Sequence, residues 1–231
     1  MLKRRVLRKV YYAFLLARRG GLGIFLRQFW LRVYSKTSYV WLAKDLDSGG
    51  NLHSPLIRYS LQPAAPGAFR KLLDGLNGES SQDVFEILRR VSFYENGFDA
   101  CYLALTDSGE VCHVSWLLSA SHNELIRRQY PPRMRELEES EVLQENAFTF
   151  PRYRRKGIMT SVTLDLANTA RSLGFRRMLA YVDIENRASL RAFHRAGFRS
   201  YDGEQEIRRL FRIRRRKEAS WQSWQVIPET K

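Results

Sequence analysis

Residues 152–199 read RYRRKGIMTSVTLDLANTARSLGFRRMLAYVDIENRASLRAFHRAGFR, and this stretch decides the fold. A basic loop ending in Gly157 opens an amphipathic helix, and a nearly all-apolar strand follows. Asn186 then precedes a second short helix, which ends at Gly197 and Phe198. The first N–H groups of a helix have no partner within it, and the helix dipole attracts anions. The stretch therefore predicts a cradle for a pyrophosphate group.

The spacing of apolar residues within this stretch predicts which surfaces are buried. Gly174 ends the first helix, and the strand Met178–Ile184 is apolar on both faces apart from Tyr181 and Asp183, which is typical of a central strand. The first helix carries one apolar stripe, formed by Ile158, Val162, Leu166, Ala170 and Leu173.

The flanking sequence predicts the remaining elements of a mixed α/β sheet with helices on both faces. The segment from Cys101 to Leu118 predicts a hairpin with Ser108-Gly109 at its tip, in which Cys101 faces Trp116. Loops are expected over 46–66 and 120–140. Helices are expected over roughly 67–76 and 81–92, and strands over 38–46, 141–150 and about 205–214.

Charge is concentrated at the N-terminus. The 231 residues suffice for one domain with a substantial core, and the formal net charge of +15 predicts anionic partners. Residues 1–36 hold ten Lys or Arg and no Asp or Glu. We therefore expect a basic helical arm over 1–36 and a main domain over 37–231. Two short amphipathic helices are indicated in the arm by Val6, Val10, Phe14 and Ala17, and by Ile24, Phe25 and Trp30.

Such an arm is typical of peripheral contact with an anionic membrane. The alternative is that its apolar faces dock on the main domain or on a second subunit, which would make the protein a homodimer. No apolar run in the sequence is long enough to span a bilayer.

The cysteines and histidines predict neither a disulfide nor a metal site. Cys101 and Cys112 do not face each other in the predicted hairpin, and the four histidines are scattered. No Cys/His cluster has the spacing of metal ligands. We therefore expect a reducing, cytoplasmic location, with peripheral attachment at the inner membrane face as the variant that the basic arm favours.

On these motifs the chain resembles the GNAT superfamily of N-acetyltransferases, from about residue 37 to 214 and most closely over 142–199. The family signature is Arg or Gln, two residues, Gly, one residue, and then Gly or Ala; here the run is Arg154 to Met159. Asn186, Ser189 and the pair Gly197-Phe198 match the downstream signature.

The resemblance implies acetyl-CoA as acyl donor and a central sheet that splays where the pantetheine arm lies, so that 37–231 is an acetyl-CoA-dependent N-acetyltransferase domain. It implies that the backbone of residues 148–150 contacts the pantetheine and that the backbone of 155–159 holds the pyrophosphate. For Asn186 and Ser189 the alternative is helix capping. The residues expected to bind the coenzyme are Phe148, Thr149, Phe150, Arg154, Arg155, Lys156, Gly157, Ile158, Met159, Asn186 and Ser189.

Two residues depart from the family pattern. Met159 stands where the family usually has Gly or Ala, and its bulk is expected to crowd the loop unless the flexible side chain turns away. Phe193 stands where many members have a Tyr that protonates the leaving thiolate, and a phenyl ring cannot donate a proton.

Acetyl transfer to an amine requires the amine to be neutral, so a base assists the reaction. The family often takes a carboxylate from the strand before the loop, which implies Glu145, with Glu141 and His113 as alternatives. We expect direct attack on the thioester in a ternary complex. The acceptor is expected to be a small molecule, an amino sugar or a peptide bound near 46–66 and 120–140, and the basic surface favours an acidic one.

Two other functions compete with this interpretation. The first is a GNAT-fold protein that binds coenzyme A without turnover, which the residues Met159 and Phe193 make conceivable. The second is a basic protein that binds a membrane surface or nucleic acid, which the arm and the Arg-rich segment 208–217 favour electrostatically. Because no helix-turn-helix, RNP-like or zinc motif is visible, we do not expect nucleic acid to be the main partner.

Overall fold

The computed structural model describes residues 22–47, 55–65, 67–68, 80–129, 135–210 and 212–217. These residues form one eight-stranded sheet with the strand order β2-β3-β4-β5-β6-β1-β7-β8. The strands are β1 (Tyr34–Asp45), β2 (Tyr59–Pro63), β3 (Cys101–Thr106), β4 (Val111–Ser119), β5 (Glu141–Thr149), β6 (Arg177–Asp183), β7 (Arg199–Arg209) and β8 (Arg212–Lys217).

Helices precede the sheet and connect its strands. Short 3₁₀ helices lie at Ala120–His122 and Pro151–Tyr153. The α-helices that the structure describes are α1 (Leu22–Val33), α2 (Ser81–Glu95), α3 (Asn123–Gln129), α4 (Ile158–Ser172) and α5 (Arg187–Arg195). None of them is long and apolar enough to cross a membrane.

The predicted mixed sheet, splayed at its centre, is confirmed. β5 and β6 are parallel neighbours, whereas every other adjacent pair in the described sheet is antiparallel. Their pairing covers only Glu141–Gln144 against Arg177–Ala180. Both strands continue beyond this point without pairing to each other, so a gap opens between them.

The core forms because both faces of the central strands are apolar and the helices present apolar stripes to them. Ile158, Val162, Leu166 and Ala170 on α4 are each at most 1% exposed. Burying one such side chain contributes about 1.5–3 kcal/mol. The prediction that Leu173 shares this stripe is wrong: it is 61% exposed, because α4 ends at Ser172 and the chain turns away.

The boundary predicted between arm and domain falls inside the sheet. β1 begins at Tyr34 rather than near Ser38, so residues 34–36 pair with β7. The predicted second helix of the arm is present as α1. The predicted helix between Val6 and Ala17 lies outside the described residues, as does most of the predicted helix over 67–76.

Two expected loops contain regular elements. β2 lies within 46–66 and pairs with β3 at the edge of the sheet, where Pro63 is tolerated because an edge strand has one unpaired side. α3 and the 3₁₀ turn before it lie within 120–140. In the hairpin Cys101 does face Trp116 as predicted, but a bulge after Ala104 places Leu105 opposite Val111.

Candidate functional site

A bulge in β5 separates the paired half of this strand from its unpaired half. Trp116 lies opposite Glu145 and Val114 lies opposite Phe148, so two residues of β5 face a single residue of β4. One of the two, Asn146, has a positive φ of 53°. Bulges bend a strand and re-aim its side chains, and this one occurs where β5 departs from β6.

Arg90 of α2, which was not among the predicted site residues, holds the bulge in place. Its Nε donates to the Asn146 carbonyl at 2.9 Å, its Nη2 donates to the Ala147 carbonyl at 3.1 Å, and its Nη1 lies 2.8 Å from the Glu86 carboxylate. The residue is only 8% exposed. The sequence pattern that could have indicated Arg90 is its position, beside Val91, on the otherwise apolar face of a helix.

The loop before α4 presents backbone N–H groups outward. Arg155 and Gly157 both have left-handed backbone conformations, with φ of 62° and 77°. The first helical hydrogen bond of α4 runs from Ser161 N–H to the Gly157 carbonyl, and no side chain caps the helix. The N–H groups of residues 158–160 therefore have no helical partner and lie at the positive end of the α4 dipole.

A cavity of about 710 Å³ opens directly onto these N–H groups. Arg154, Arg155, Arg191 and Arg195 lie around it, so its field attracts anions. Nine of the eleven predicted coenzyme residues line it, namely Phe148, Thr149, Arg154, Arg155, Gly157, Ile158, Met159, Asn186 and Ser189.

The other two predicted coenzyme residues do not line this cavity. Phe150 is buried and packs edge-on against Phe148, with ring centroids 5.3 Å apart. The ammonium of Lys156 lies 5.7 Å from the centre of the Tyr153 ring, and the Lys156 carbonyl accepts from Leu56 N–H at 3.0 Å. Both residues shape the loop from outside the cavity.

Arg154 is committed to contacts within the protein. Its Nη2 lies 2.6 Å from the Asp83 carboxylate, and its Nε donates to the Thr149 carbonyl at 3.1 Å. Asp83 itself lies in the first turn of α2. This ion pair therefore connects the end of β5 to α2. Arg154 thus holds the wall of the cavity in place and also adds positive charge beside it.

The start of α5 forms the opposite wall of the cavity. Asn186 caps this helix, because its side-chain oxygen accepts from Ser189 N–H at 3.2 Å, so the capping alternative is confirmed for Asn186. The Ser189 hydroxyl lies 3.9 Å from the Met159 sulfur. The Met159 side chain therefore bridges α4 and α5 at this point.

A second, smaller cavity of about 100 Å³ lies in the gap between β5 and β6. It shares Met159, Asn186 and Ser189 with the larger one. Phe193 also lines it, is 3% exposed and offers no proton donor. The contact between Met159 and Ser189 thus lies where the two cavities adjoin.

Two carboxylates line the smaller cavity from opposite strands. Glu145, the predicted base, comes from β5, and Asp183 comes from the end of β6. Burial raises the pKa of Asp183, and the nearby charge of Glu185 adds to this. Asp183 was not predicted as a site residue, although it is the one acidic residue in an otherwise apolar strand.

Neither alternative base is placed to accept a proton from a substrate. Glu141 is 1% exposed and its carboxylate pairs with Arg135 at 2.6 Å and with Arg177 at 3.4 Å. His113 is fully buried, its Nδ1 lies 2.8 Å from the Thr149 hydroxyl, and burial lowers its pKa to about 3. Both alternatives therefore have structural roles.

The cysteines are buried and unpaired with each other, as expected. Burial raises the pKa of the Cys112 thiol to about 11 and raises the pKa of the Cys101 thiol further. A thiol with a raised pKa is a poor nucleophile near neutral pH. The side chains around the gap therefore offer carboxylates, rather than a thiolate, for proton transfer.

Comparison with known proteins agrees with this geometry. Residues 138–198 match the model of the acetyltransferase (GNAT) family. No curated protein matches the chain. Among solved structures, the GCN5-related glucosamine N-acetyltransferase region of a fungal multi-domain GH3 β-N-acetylglucosaminidase has a TM-score of 0.54 at 12% identity, covering 79% of this chain and 22% of that one.

A Drosophila protein has a TM-score of 0.50 at 12% identity and covers 82% of this chain and 58% of its own. A GNAT-family acetyltransferase from Colwellia psychrerythraea has a TM-score of 0.49 at 13% identity, with coverage of 76% and 56%. This chain spans less than two thirds of each of these structures. At such identities the likeness shows the fold alone. The chain thus contains a segment, residues 138–198, that matches the GNAT acetyltransferase model, and this segment lies within a fold similar to that of the fungal GCN5-related region.

Proposed function

We propose that this protein is an N-acetyltransferase that transfers the acetyl group of acetyl-CoA to an amine. The observation that carries the proposal is the loop before α4, where two left-handed residues, Arg155 and Gly157, aim backbone N–H groups into the 710 Å³ cavity. A pyrophosphate needs such N–H donors and a positive dipole. The cavity continues to the unpaired half of β5, where an extended pantetheine arm would lie.

The carbonyl groups along this half of β5 already have arginine partners. Arg90 donates to the carbonyls of Asn146 and Ala147, and Arg154 donates to that of Thr149. Each carbonyl oxygen has two lone pairs, so a pantetheine amide can share them. In this proposal the two arginines fix the shape of the strand edge to which the coenzyme binds.

The chemical step is nucleophilic attack by a neutral amine on the thioester carbonyl carbon. The N–C bond forms, the C–S bond breaks, and the thiolate of coenzyme A leaves with the electron pair. Glu145 accepts the proton that the amine loses, since it lies in the small cavity at the end of the gap. The thiolate then takes a proton from solvent, because Phe193 cannot provide one.

The charge around the small cavity favours a cationic amine over the acidic acceptor expected from the overall charge. The arginines of the site surround the coenzyme cavity, whereas Glu145 and Asp183 line the small cavity. Carboxylates attract an ammonium group and repel an anionic one. A panel of matched amines with and without a carboxylate tests this point, and a preference for the acidic members would contradict it.

The coenzyme site is tested by titration calorimetry with acetyl-CoA. Gly157→Glu places a carboxylate at the N–H groups of α4, and binding is expected to weaken by about 100-fold, which corresponds to about 2.7 kcal/mol. Gly174→Glu is the matched control, because Gly174 also has a positive φ, 90°, and lies at the other end of the same helix. An equal loss of acetyl-CoA affinity in both variants would indicate that backbone strain, and not the position of the carboxylate, weakens binding. No acetyl-CoA binding by the unmodified protein would refute the proposal.

The base is tested once the amine panel has given a substrate. Glu145→Gln is expected to lower kcat by about 10²-fold or more while leaving acetyl-CoA affinity unchanged. Asp183→Asn, across the same cavity, is the comparison. If Asp183→Asn causes the larger loss in kcat and removes the acidic limb of the pH profile, then Asp183 is the base.

A second candidate function is coenzyme A binding without turnover. It is favoured by the Met159–Ser189 contact of 3.9 Å, which lies where the coenzyme cavity adjoins the small one, and by the small cavity's volume of about 100 Å³. It predicts tight acetyl-CoA binding with no thiol release for any amine of the panel. Thiol release above the rate of spontaneous hydrolysis would exclude it.

A further inference from the structure

The helix α1 carries an exposed apolar ridge. Leu26, Phe29 and Trp30 are 55%, 51% and 64% exposed, and their i, i+3, i+4 spacing places them on one face. Phe29 and Trp30 contact each other edge-on, with ring centroids 6.0 Å apart. The ridge continues into Tyr34, which is 59% exposed at the start of β1. Large side chains exposed together in this way are typical of an interaction surface.

One face of the adjoining strands is entirely free of acidic residues. Tyr34 lies opposite Arg209, which in turn lies opposite Arg212. Residues directly opposite each other in a ladder point to the same face, so these side chains form one row. The next rows on this face hold Lys36 opposite Ile207 opposite Arg214, and Ser38 opposite Gln205 opposite Arg216.

The acidic residues of β7 point to the other face. Glu204 and Glu206 pair there with Arg215, at 3.2 and 3.3 Å, and Glu206 also pairs with Arg208 at 2.8 Å. Among the described residues, no carboxylate lies within ion-pair distance of the cations on the first face. Those five exposed cations are Lys36, Arg209, Arg212, Arg214 and Arg216.

The apolar ridge and the cationic face are continuous. The Leu210 N–H donates to the Val33 carbonyl at 2.7 Å, which fixes the β7–β8 turn against the end of α1. Leu210 is itself 73% exposed, and it follows Arg209 in the chain. Hydrophobic side chains are thus flanked by a block of positive charge that no carboxylate of the described residues neutralises. We call this combined region the α1–β8 surface.

We propose that the α1–β8 surface docks on an anionic lipid bilayer. Aromatic and aliphatic side chains insert at the boundary between head groups and acyl chains, and Lys and Arg beside them contact lipid phosphates and carboxylates. The charge of the surface is complementary to a membrane rich in anionic lipid. Nucleic acid would engage the cations but leave Leu26, Phe29 and Trp30 in water, so the composition favours a bilayer.

This docking surface is separate from the coenzyme cavity. None of its residues lines that cavity or the smaller one beside it. Binding to vesicles can therefore be measured without coenzyme or acceptor, and it does not depend on acyl transfer. Folding of each variant is checked by its thermal unfolding midpoint in circular dichroism.

The test measures partition of the full chain onto vesicles of phosphatidylcholine with 0 or 40% phosphatidylserine. The variant Arg209→Gln/Arg212→Gln/Arg214→Gln is expected to bind the anionic vesicles on the order of 100-fold more weakly, since one cation near such a surface contributes roughly fivefold. The matched control removes three arginines that are exposed elsewhere, with the same change in net charge. It is Arg89→Gln/Arg128→Gln/Arg171→Gln.

A second pair of variants tests the apolar ridge. Phe29→Ser/Trp30→Ser is expected to weaken vesicle binding at least tenfold. Leu56→Ser/Leu173→Ser, which removes apolar side chains that are 81% and 61% exposed elsewhere, is expected to leave it unchanged. In the unmodified protein, brominated lipids are expected to quench part of the tryptophan fluorescence, and Trp30→Phe is expected to remove that part.

Three results would overturn the proposal. The first is equal loss of binding in both arginine triples, which would assign vesicle binding to net charge alone. The second is full retention of binding in Phe29→Ser/Trp30→Ser. The third is that the unmodified protein binds a DNA duplex but not the anionic vesicles, which would assign the cationic face to nucleic acid.

Discussion

Replacement of Arg90 by Met should destabilise the protein and distort the coenzyme site together. The guanidinium is buried, donates to the carbonyls of Asn146 and Ala147, and pairs with Glu86 at 2.8 Å. Met matches the length of the apolar stem but supplies no donor. The variant therefore leaves two carbonyls of the β5 bulge, and one partly buried carboxylate, without this partner.

The expected cost follows from these contacts. A buried acceptor that loses its donor costs about 1–3 kcal/mol, and removal of one partner from a buried ion pair costs about 3–5 kcal/mol. The Glu86 side chain is 24% exposed and keeps its contact with Arg89, so the cost of leaving its carboxylate without Arg90 is smaller than for a buried pair. Asn146 and Ala147 are half-buried, so each carbonyl is assigned about 1 kcal/mol, the lower end of its range. With about 1 kcal/mol for the partly exposed Glu86, we expect a loss of about 3 kcal/mol in the free energy of unfolding. For a chain of this size that corresponds to a fall of roughly 6–12 °C in Tm.

Urea unfolding and acetyl-CoA titration measure the two effects. Arg89→Met is the control, because Arg89 is the neighbouring residue, contacts the same Glu86 and is 55% exposed. An exposed pair of this kind contributes about 0–1 kcal/mol. A cost of less than 1 kcal/mol for Arg90→Met would contradict this prediction, as would acetyl-CoA binding as tight as that of Arg89→Met under conditions where both variants are folded.

Two further predictions concern the cavity walls. Met159→Ala removes the side chain that contacts Ser189 between the two cavities, and it should cost about 1–2 kcal/mol of stability. If the Met159 side chain obstructs the coenzyme, the variant should bind acetyl-CoA more tightly in calorimetry. Weaker binding would contradict that role. His113 is buried in its neutral form with its pKa lowered to about 3, so below pH 6.5 the unfolded chain binds a proton that the folded protein does not. Stability is therefore lost as pH falls from 6.5 towards 3, by about 2 kcal/mol at pH 5. Urea unfolding measures the free energy of unfolding of His113→Gln and of the unmodified protein at pH 7.5 and at pH 5. The difference between the two proteins should be smaller at pH 5 by that amount, and the same difference at both pH values would contradict the prediction.

The parts of the site that are local in sequence were predictable. The loop before α4, the helix itself and the capping position of Asn186 are each encoded within a few residues, because left-handed glycine, apolar periodicity and side-chain capping act over one or two turns. The stripe of α4 was predicted correctly up to Ala170 and failed only at Leu173. Periodicity continues in sequence after a helix has ended, so it cannot by itself locate the last turn.

The parts that depend on contacts distant in sequence were missed. Arg90 reaches a bulge 56 residues away, and the bulge exists because β4 and β5 differ by one residue in register. Asp183 becomes a site residue only because β6 ends beside the unpaired half of β5. The spacing of residues within either strand does not predict these contacts, because they depend on the order of strands in the sheet and on the length over which β5 and β6 pair.

The described charges differ in sign from one part of the protein to another, so the net charge alone does not predict which ligand each part binds. The excess of +15 positive charges suggested anionic partners, but the described charges include three groups with different surroundings. Arginines surround the coenzyme cavity, cations without an ion-pair partner among the described residues cover one face of β8, and carboxylates line the small cavity where an amine would react. The cationic face of β8 shares no residue with either cavity, so it can select a ligand of its own, whereas the two cavities adjoin and differ in the sign of the charges that line them. Raising the salt concentration should therefore weaken vesicle binding and coenzyme binding to different extents, and neither effect should determine which amine is acetylated.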